Sequence, residues 1–400
     1  MNIHSPQASL PGPRWSAAQA VLCAMVALAL ASLPFLRVAP NRLVSGEAVY
    51  FASALRGGWW MLAVPCMILV VLSFSKTHWA GLWLTVASAA SLGLGLVALA
   101  AAQASFVAQA GAPLTRTSLG GGFWLACVLL GLVMADALQR LRAGSTARIC
   151  CAVVVAVLLF ILLVSGWCDD LSIMKEFANR SDVFAQVMAR HLQIVALALA
   201  LTLLLGLPLG WATWRFSRVS RALFPLLNII QTIPSLALFG LLMAPLAWLA
   251  SSWPAGGRAG ISGVGLVPGV LALVLYSLLP VVRSTLAGLA QVPSSVVQAA
   301  SGLGLTPAQV FWRVDVPLAL PVVLGGVRTA TIQSIGLAAV TALIGAGGLG
   351  SIMFEGLFSS AQDLVLLGVL PIIALGMLAD GLFKGLIRFS SPHGLGQEGK

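Results

Sequence analysis

The sequence predicts an all-α polytopic membrane protein, and three observations carry that class. Of its 400 residues, 60% are hydrophobic and 8% are charged, where a soluble domain carries roughly 25% charged residues. Apolar runs long enough to cross a bilayer as helices recur along the chain. The 22 Lys and Arg residues outnumber the 11 Asp and Glu residues but lie in short segments between the runs. That is the charge distribution of a multi-pass protein, not of a nucleic-acid-binding patch.

Taken in order, the runs place about ten transmembrane helices, at roughly 17–36, 58–75, 78–102, 120–138, 149–167, 192–212, 223–249, 264–281, 318–343 and 363–383. The first follows Arg14 and contains Ala29-Leu30-Ala31, a passable signal-peptidase site, but its length suits a retained span. The second and third share a tight turn at Lys76-Thr77-His78 and form a hairpin. Between the fifth and sixth, residues 169–190 are unusually rich in charge and read as an external amphipathic helix. The expected division is an accessory amino-terminal membrane region of about five helices (1–168), this external segment (169–190), a core (191–390) with a loop at 292–317, and a tail (391–400). With the amino terminus in the cytoplasm, 13 of the 22 cations fall in inner segments and eight in outer ones. The bias of Lys and Arg toward the inner face therefore puts both termini and the 292–317 loop in the cytoplasm.

Chemistry-bearing clusters are sparse. The six cysteines include no C-x-x-C pair, and Cys150-Cys151 are adjacent; buried small hydrophobes is the better reading. Four scattered histidines give no metal-ligand set, no nucleophile–base pair stands out, and no catalytic residue is expected. No Walker A motif occurs, so the chain binds no cofactor and any ATP must be used by a partner subunit.

One loop stands apart. Gln298-Ala299-Ala300 is followed by Gly304, then by Val314-Asp315-Val316-Pro317. This reads as helix, glycine break, helix. Ser295 three before Gln298, and Thr306 three before Gln309, each fit a capping box, and Pro307 suits a first helical turn. The spacing resembles the Glu-Ala-Ala-x3-Gly-x9-Ile-x-Leu-Pro loop of permease subunits in bacterial ABC importers. Gln298 replaces the Glu, and Val314 and Val316 replace Ile and Leu. In that family the loop docks into a cytoplasmic ATPase. The resemblance makes Gln298, Ala299, Ala300, Gly304, Val314 and Pro317 the coupling residues.

From His191 onward the chain looks like the permeases of the glycine betaine/choline/carnitine importers. The carrying stretches are LGLPLG (205–210), NIIQTIPSLAL (228–238), LYSLLP (275–280), GVRTAT (326–331) and ALIGAGGLG (342–350). The first 168 residues carry no comparably firm signature, but the chain looks like the longer permeases of one osmoprotectant subclass, which have extra amino-terminal spans. The resemblance implies a type I ABC importer permease core in a bacterial inner membrane. It also implies a cytoplasmic ATPase, an external substrate-binding protein and a second permease subunit, identical or different, with membrane lipid around them and no nucleic acid.

Within the core, Pro234 must break or kink its span, and Gln231, Thr232 and Ser235 are placed to satisfy the freed backbone groups. Tyr276, Ser277 and Pro280 suggest a second hinge. Arg328, about a dozen residues into its span, must face protein, water or the interface, as a structural or gating contact. Gly345-Ala346-Gly347-Gly348-Leu349-Gly350 matches G-x-G-x-x-G but follows a transmembrane helix, so a flexible turn near the external gate is expected instead of a nucleotide site. Competing readings are an ion-coupled carrier, for which only Asp136 and Asp380 near span ends offer acids, a permease for another small amine or amino acid, and a membrane enzyme using Asp169, Asp170 and Glu176.

Overall fold

Two helical units make up the chain, Met1–Asn179 and Arg180–Lys400. The computed structural model describes residues 17–41, 44, 46–55, 59–74, 79–110, 115–253 and 262–390. Arg14, the turn expected at Lys76-Thr77-His78 and the tail 391–400 lie outside the described residues.

The first unit holds α1 (Ala17–Ser32), α2 (Phe51–Ala54), α3 (Trp59–Phe74), α4 (Trp79–Ala110), α5 (Gly121–Arg140), α6 (Ser145–Val164) and α7 (Ser172–Ala178). Its core is a seam of Val26, Leu30, Leu96, Leu129 and Val133 among α1, α4 and α5. One end carries a feature that helical periodicity does not reveal. Strands β1 (Leu36–Ala39), β2 (Glu47–Val49) and β3 (Arg116–Leu119) form an antiparallel sheet in the order β2-β1-β3, with Leu36 opposite both Val49 and Leu119. Strands of three and four residues are too short to show an alternating pattern. Phe35, fully buried, anchors the sheet by edge contacts with Phe51 at 5.3 Å and Phe123 at 5.9 Å.

The second unit holds α8 (Ser181–Arg215), α9 (Ser217–Thr232), α10 (Ser235–Ser252), α11 (Leu266–Ala290), α12 (Ser294–Gly302), α13 (Pro307–Val310), α14 (Val316–Ala338), α15 (Leu349–Phe358) and α16 (Gln362–Ser390). A π-turn, Phe311–Asp315, joins α13 to α14, and a 3-10 turn, Val340–Ile344, follows α14. At the centre, α11 packs between α8 and α14, burying Leu273, Val274 and Leu278 against Ile194, Ala198 and Ile335. Glycine permits this close approach. A Cβ at Gly210 of α8 would lie 2.5 Å from Thr285 Cβ, and one at Gly326 of α14 would collide with Ser284 Oγ and sit 2.7 Å from the Pro280 carbonyl oxygen. The Gly-rich LGLPLG and GVRTAT stretches are therefore contact faces of the central helix.

Eight helices among the described residues are long and apolar enough to cross a membrane. The spans expected at 17–36 and 58–75 correspond to α1 and α3, of which 16 residues each are described. The span expected at 223–249 is two helices, α9 and α10, parted at Ile233-Pro234. The stretch 169–190 is not one helix: α7 ends at Ala178, and Ser181 onward is already part of the 35-residue α8. All six cysteines are free, but Cys66 and Cys150 are exposed on apolar helix faces and not buried as expected.

Replacing Gly326 by valine should force α14 off α11 at an overpacking cost of about 1–3 kcal/mol. The same change at Gly325, where a Cβ meets nothing within 4 Å, should be neutral. Thermal unfolding of the two variants in detergent measures the difference.

Candidate functional site

The break between α9 and α10 and the unbroken helix α11 hold each other through two reciprocal bonds. Pro234 has no N–H, and the carbonyl of Ile230 is taken instead by Ile233 N–H at 3.2 Å. Ile233 itself is extended (φ −72°, ψ 127°), so its own carbonyl points out of the helix. The Tyr276 hydroxyl of α11 donates to it. Four residues after Tyr276 stands Pro280, which cannot supply the helical donor that the Tyr276 carbonyl would otherwise take. Gln231 Nε2 fills that vacancy at 2.5 Å. At each proline a carbonyl is left without a helical donor, Ile233's at the break and Tyr276's ahead of Pro280, and a side chain from the opposite helix supplies one.

This arrangement differs from the sequence expectation in its direction. Gln231 serves the neighbouring helix, not its own; Thr232 donates to Ile229 within α9 at 2.7 Å; Ser235 opens α10. Pro280 lies inside a continuous α11, and Ser277 shares a buried hydroxyl–hydroxyl bond of 2.9 Å with Ser334 of α14.

Arg328 is committed to a partner. Its Nε donates to Asp380 Oδ1 of α16 at 2.6 Å, its other guanidinium nitrogen also contacts that oxygen, and Lys384 Nζ reaches Asp380 Oδ2 at 2.6 Å. One carboxylate thus ties two cations on two helices. The sequence points to Arg328 but not to this pairing, because α14 and α16 meet only in three dimensions.

The loop at 292–317 is an elbow with defined geometry. Helix α12 begins at Ser294 after Pro293 and has no side-chain cap, so the capping box expected at Ser295 and Gln298 does not form. It ends in a Schellman motif: Gly304 N–H bonds the Ser301 carbonyl at 3.0 Å, and Leu305 N–H bonds the Ala300 carbonyl at 3.3 Å. This places Gly304 at φ +83°, left-handed backbone that a side chain would strain. The second box does form. Thr306 N–H donates to Gln309 Oε1 at 2.8 Å and Gln309 N–H to Thr306 Oγ1 at 3.4 Å, with Pro307 at the first helical position. Gln298, Ala299, Gly304 and Pro317 are exposed, Val314 is half-buried, and Ala300 is buried against its own chain. The small residue facing outward is therefore Ala299. Two residues outside the motif stand out: Leu303 is 82% exposed and Trp312 69% exposed.

The Gly-rich stretch 345–350 is a turn that leads into α15, with Gly345, Gly347 and Gly348 all at positive φ. Arg190 Nε of α8 donates to the Ala346 carbonyl at 2.9 Å, and a Cβ at Gly348 would lie 3.2 Å from His191, which is fully buried. Just before α8, Arg180 forks onto Glu355 of α15 with bonds of 2.9 and 2.5 Å. The turn is packed and bonded, and it offers no cradle for a nucleotide. No group of three or more metal-ligating side chains occurs among the described residues.

Residues 202–389 match the profile of the binding-protein-dependent transport system inner membrane component, and residues 15–174 match the N-terminal domain of the ABC transporter permease YehY. The osmoprotectant import permease protein OsmW of Salmonella typhimurium is 38% identical over 221 residues, covering 54% of this chain and 96% of that one. The chain belongs to the ABC importer permease family. The choline transport system permease protein OpuBB of Bacillus subtilis is 34% identical, over 51% of this chain and 87% of its own. The ergothioneine transport permease/binding protein EgtU of Helicobacter pylori is 40% identical, over 46% of this chain and 31% of its own. The permease core thus carries the likeness to the curated relatives. The amino-terminal unit has a match of its own, in keeping with the resemblance to a permease subclass with extra amino-terminal spans. The family is one of multi-pass membrane transport proteins and not of enzymes, and membership implies an ATPase and a substrate-binding protein as partners.

Tyr276→Phe should leave the Ile233 carbonyl unpaired, and Gln231→Leu the Tyr276 carbonyl, each at about 1–3 kcal/mol. Because both act on one pair of helices, the double variant should lose less than the sum, readable as a double-mutant cycle in denaturant unfolding. Asp380→Asn should lower folded yield and uptake, and exchanging the charges (Arg328→Asp with Asp380→Arg) should recover part of both.

Proposed function

We propose that this chain is the membrane subunit of an ATP-driven importer of compatible solutes such as glycine betaine or choline. The observation that carries the proposal is the elbow 292–317. Two short helices meet at a left-handed glycine, with a formed capping box behind it and Ala299, Leu303 and Trp312 turned to solvent. A rigid, exposed helical elbow is suited to receive force from a partner, and the π-turn Phe311–Asp315 continues it directly into α14. The chain binds no cofactor of its own; a cytoplasmic ATPase uses the ATP and presses on the elbow. An external binding protein delivers solute, and a second permease subunit, identical or different, completes the path. Both termini and the elbow face the cytoplasm of a bacterium, in keeping with the charge bias between segments. Residues 1–168 and 169–190 form an accessory membrane region and an external segment, and 191–390 the transport core.

The substrate class follows the relatives OsmW and OpuBB, whose names specify osmoprotectants and choline. The likeness to EgtU, whose name specifies ergothioneine, supports a second reading, import of another small amine or amino acid. An ion-coupled carrier finds no support. Asp136 is held by Arg140 at 2.8 Å and Asp380 by Arg328 and Lys384, so neither acid is available to a coupling ion.

Gly304→Pro requires φ near about −65° where the chain has a left-handed turn, and should abolish both uptake and co-purification of the ATPase. Ala299→Trp should do the same by obstruction, whereas Gln298→Glu should preserve transport. Normal ATPase recruitment by the first two variants would refute the docking role. Uptake of labelled glycine betaine, choline and carnitine decides the substrate.

A further inference from the structure

The amino-terminal unit contains a cleft that the transport mechanism does not use. It lies between α1 and α3, is floored by Leu69, Leu92 and Leu130, and is closed at one end by Phe51. Its volume is about 280 Å³, nearly twice that of an engineered apolar cavity of ~150 Å³ that stays dry and takes up benzene. Among the described residues, no charged or amide side chain lines it. Its softest polar groups are the thiols of Cys23 and Cys66, which behave as small hydrophobes. The mouth runs past Ala27, Cys66 and Val70, all exposed, and continues into the apolar face of α3 at Val64, Met67 and Val71. Pro65 interrupts the α3 hydrogen-bond ladder beside this opening.

We propose that this cleft holds a single hydrocarbon chain, an acyl chain of a bilayer phospholipid. In a membrane protein, an opening along the apolar face of a helix meets hydrocarbon, not water. Water would find no hydrogen-bond partners inside, and an empty cleft would forfeit the dispersion contacts of its walls. A narrow slot lined by aliphatic side chains fits a chain of methylene groups, and a bilayer supplies these at high concentration. A bound chain completes the packing between α1 and α3, whose own side chains leave this space open. The lipid acts here as a structural component of the accessory unit, separate from the solute path.

The test uses the full chain reconstituted in phosphatidylethanolamine and phosphatidylglycerol bilayers with a trace of phosphatidylcholine bearing a photoactivatable diazirine on one acyl chain. After irradiation, mass spectrometry should find adducts on Leu69, Leu92 and Leu130. These residues are 2%, 4% and 4% exposed, out of reach of lipid that merely surrounds the protein. Ala27→Trp and Val70→Trp fill the mouth from opposite walls. Either should reduce the floor adducts by an order of magnitude or more while leaving those on the exposed Val153 and Phe160 of α6 unchanged. Thermal unfolding confirms that each variant is folded, and two variants guard against one failing. Adducts confined to exposed residues in the unaltered protein would overturn the proposal. So would floor adducts that persist in both filled variants.

Discussion

The transport core depends on one constraint: a backbone group stripped of its partner inside an apolar layer must find another. Pro280 deprives the Tyr276 carbonyl of its helical donor, and the break at Pro234 turns the Ile233 carbonyl out of its helix. The Gln231 amide and the Tyr276 hydroxyl serve these two carbonyls across the α9–α11 contact. The bonds are reciprocal, so the position of the break in α9–α10 is registered to a point on α11 to within a hydrogen bond. A proline in a membrane helix is often read as a source of mobility. Here the two prolines create the acceptors that fasten one helix to the next.

What α11 receives from α9, it passes to its other neighbours. Gly210 brings α8 against Thr285, Gly326 brings α14 against Ser284, and Ser277 bonds Ser334. Helix α14 is in turn tied to α16 through Arg328, Asp380 and Lys384, and it begins where the elbow ends. Pro317 removes the donor that the Arg313 carbonyl would take in an α-helix, and the chain passes this point as a wide π-turn without losing helical continuity. The elbow is thus continuous with a helix whose packing and ion pair connect it to the rest of the second unit.

The site was unevenly legible in the sequence. Thr306, Pro307 and Gln309 declare their cap because a capping box needs only residues three apart. Gly304 declares its left-handed turn because no other residue adopts it freely. Ser295 has the same spacing to Gln298, yet no box forms, because the helix starts two residues earlier, with Pro293 at its N-cap. Ala299 and Ala300 are identical in sequence and opposite in exposure, a distinction set by the helix's rotation against its own chain. Leu303 and Trp312 look like ordinary apolar residues until their exposure is seen.

By itself the sequence determined the helical membrane class, the near positions of the spans, the family of the core and the place of the elbow. Hydrophobic run length, proline and glycine chemistry, and short fixed spacings are all local properties of the chain. The tertiary structure decided which side chain serves which vacancy: Gln231 to Tyr276, Tyr276 to Ile233, Arg328 to Asp380. It also revealed the small sheet anchored by Phe35 and the cleft between α1 and α3. These join residues tens of positions apart, and hydrogen bonds and packing depend on distance in space, which no local pattern encodes.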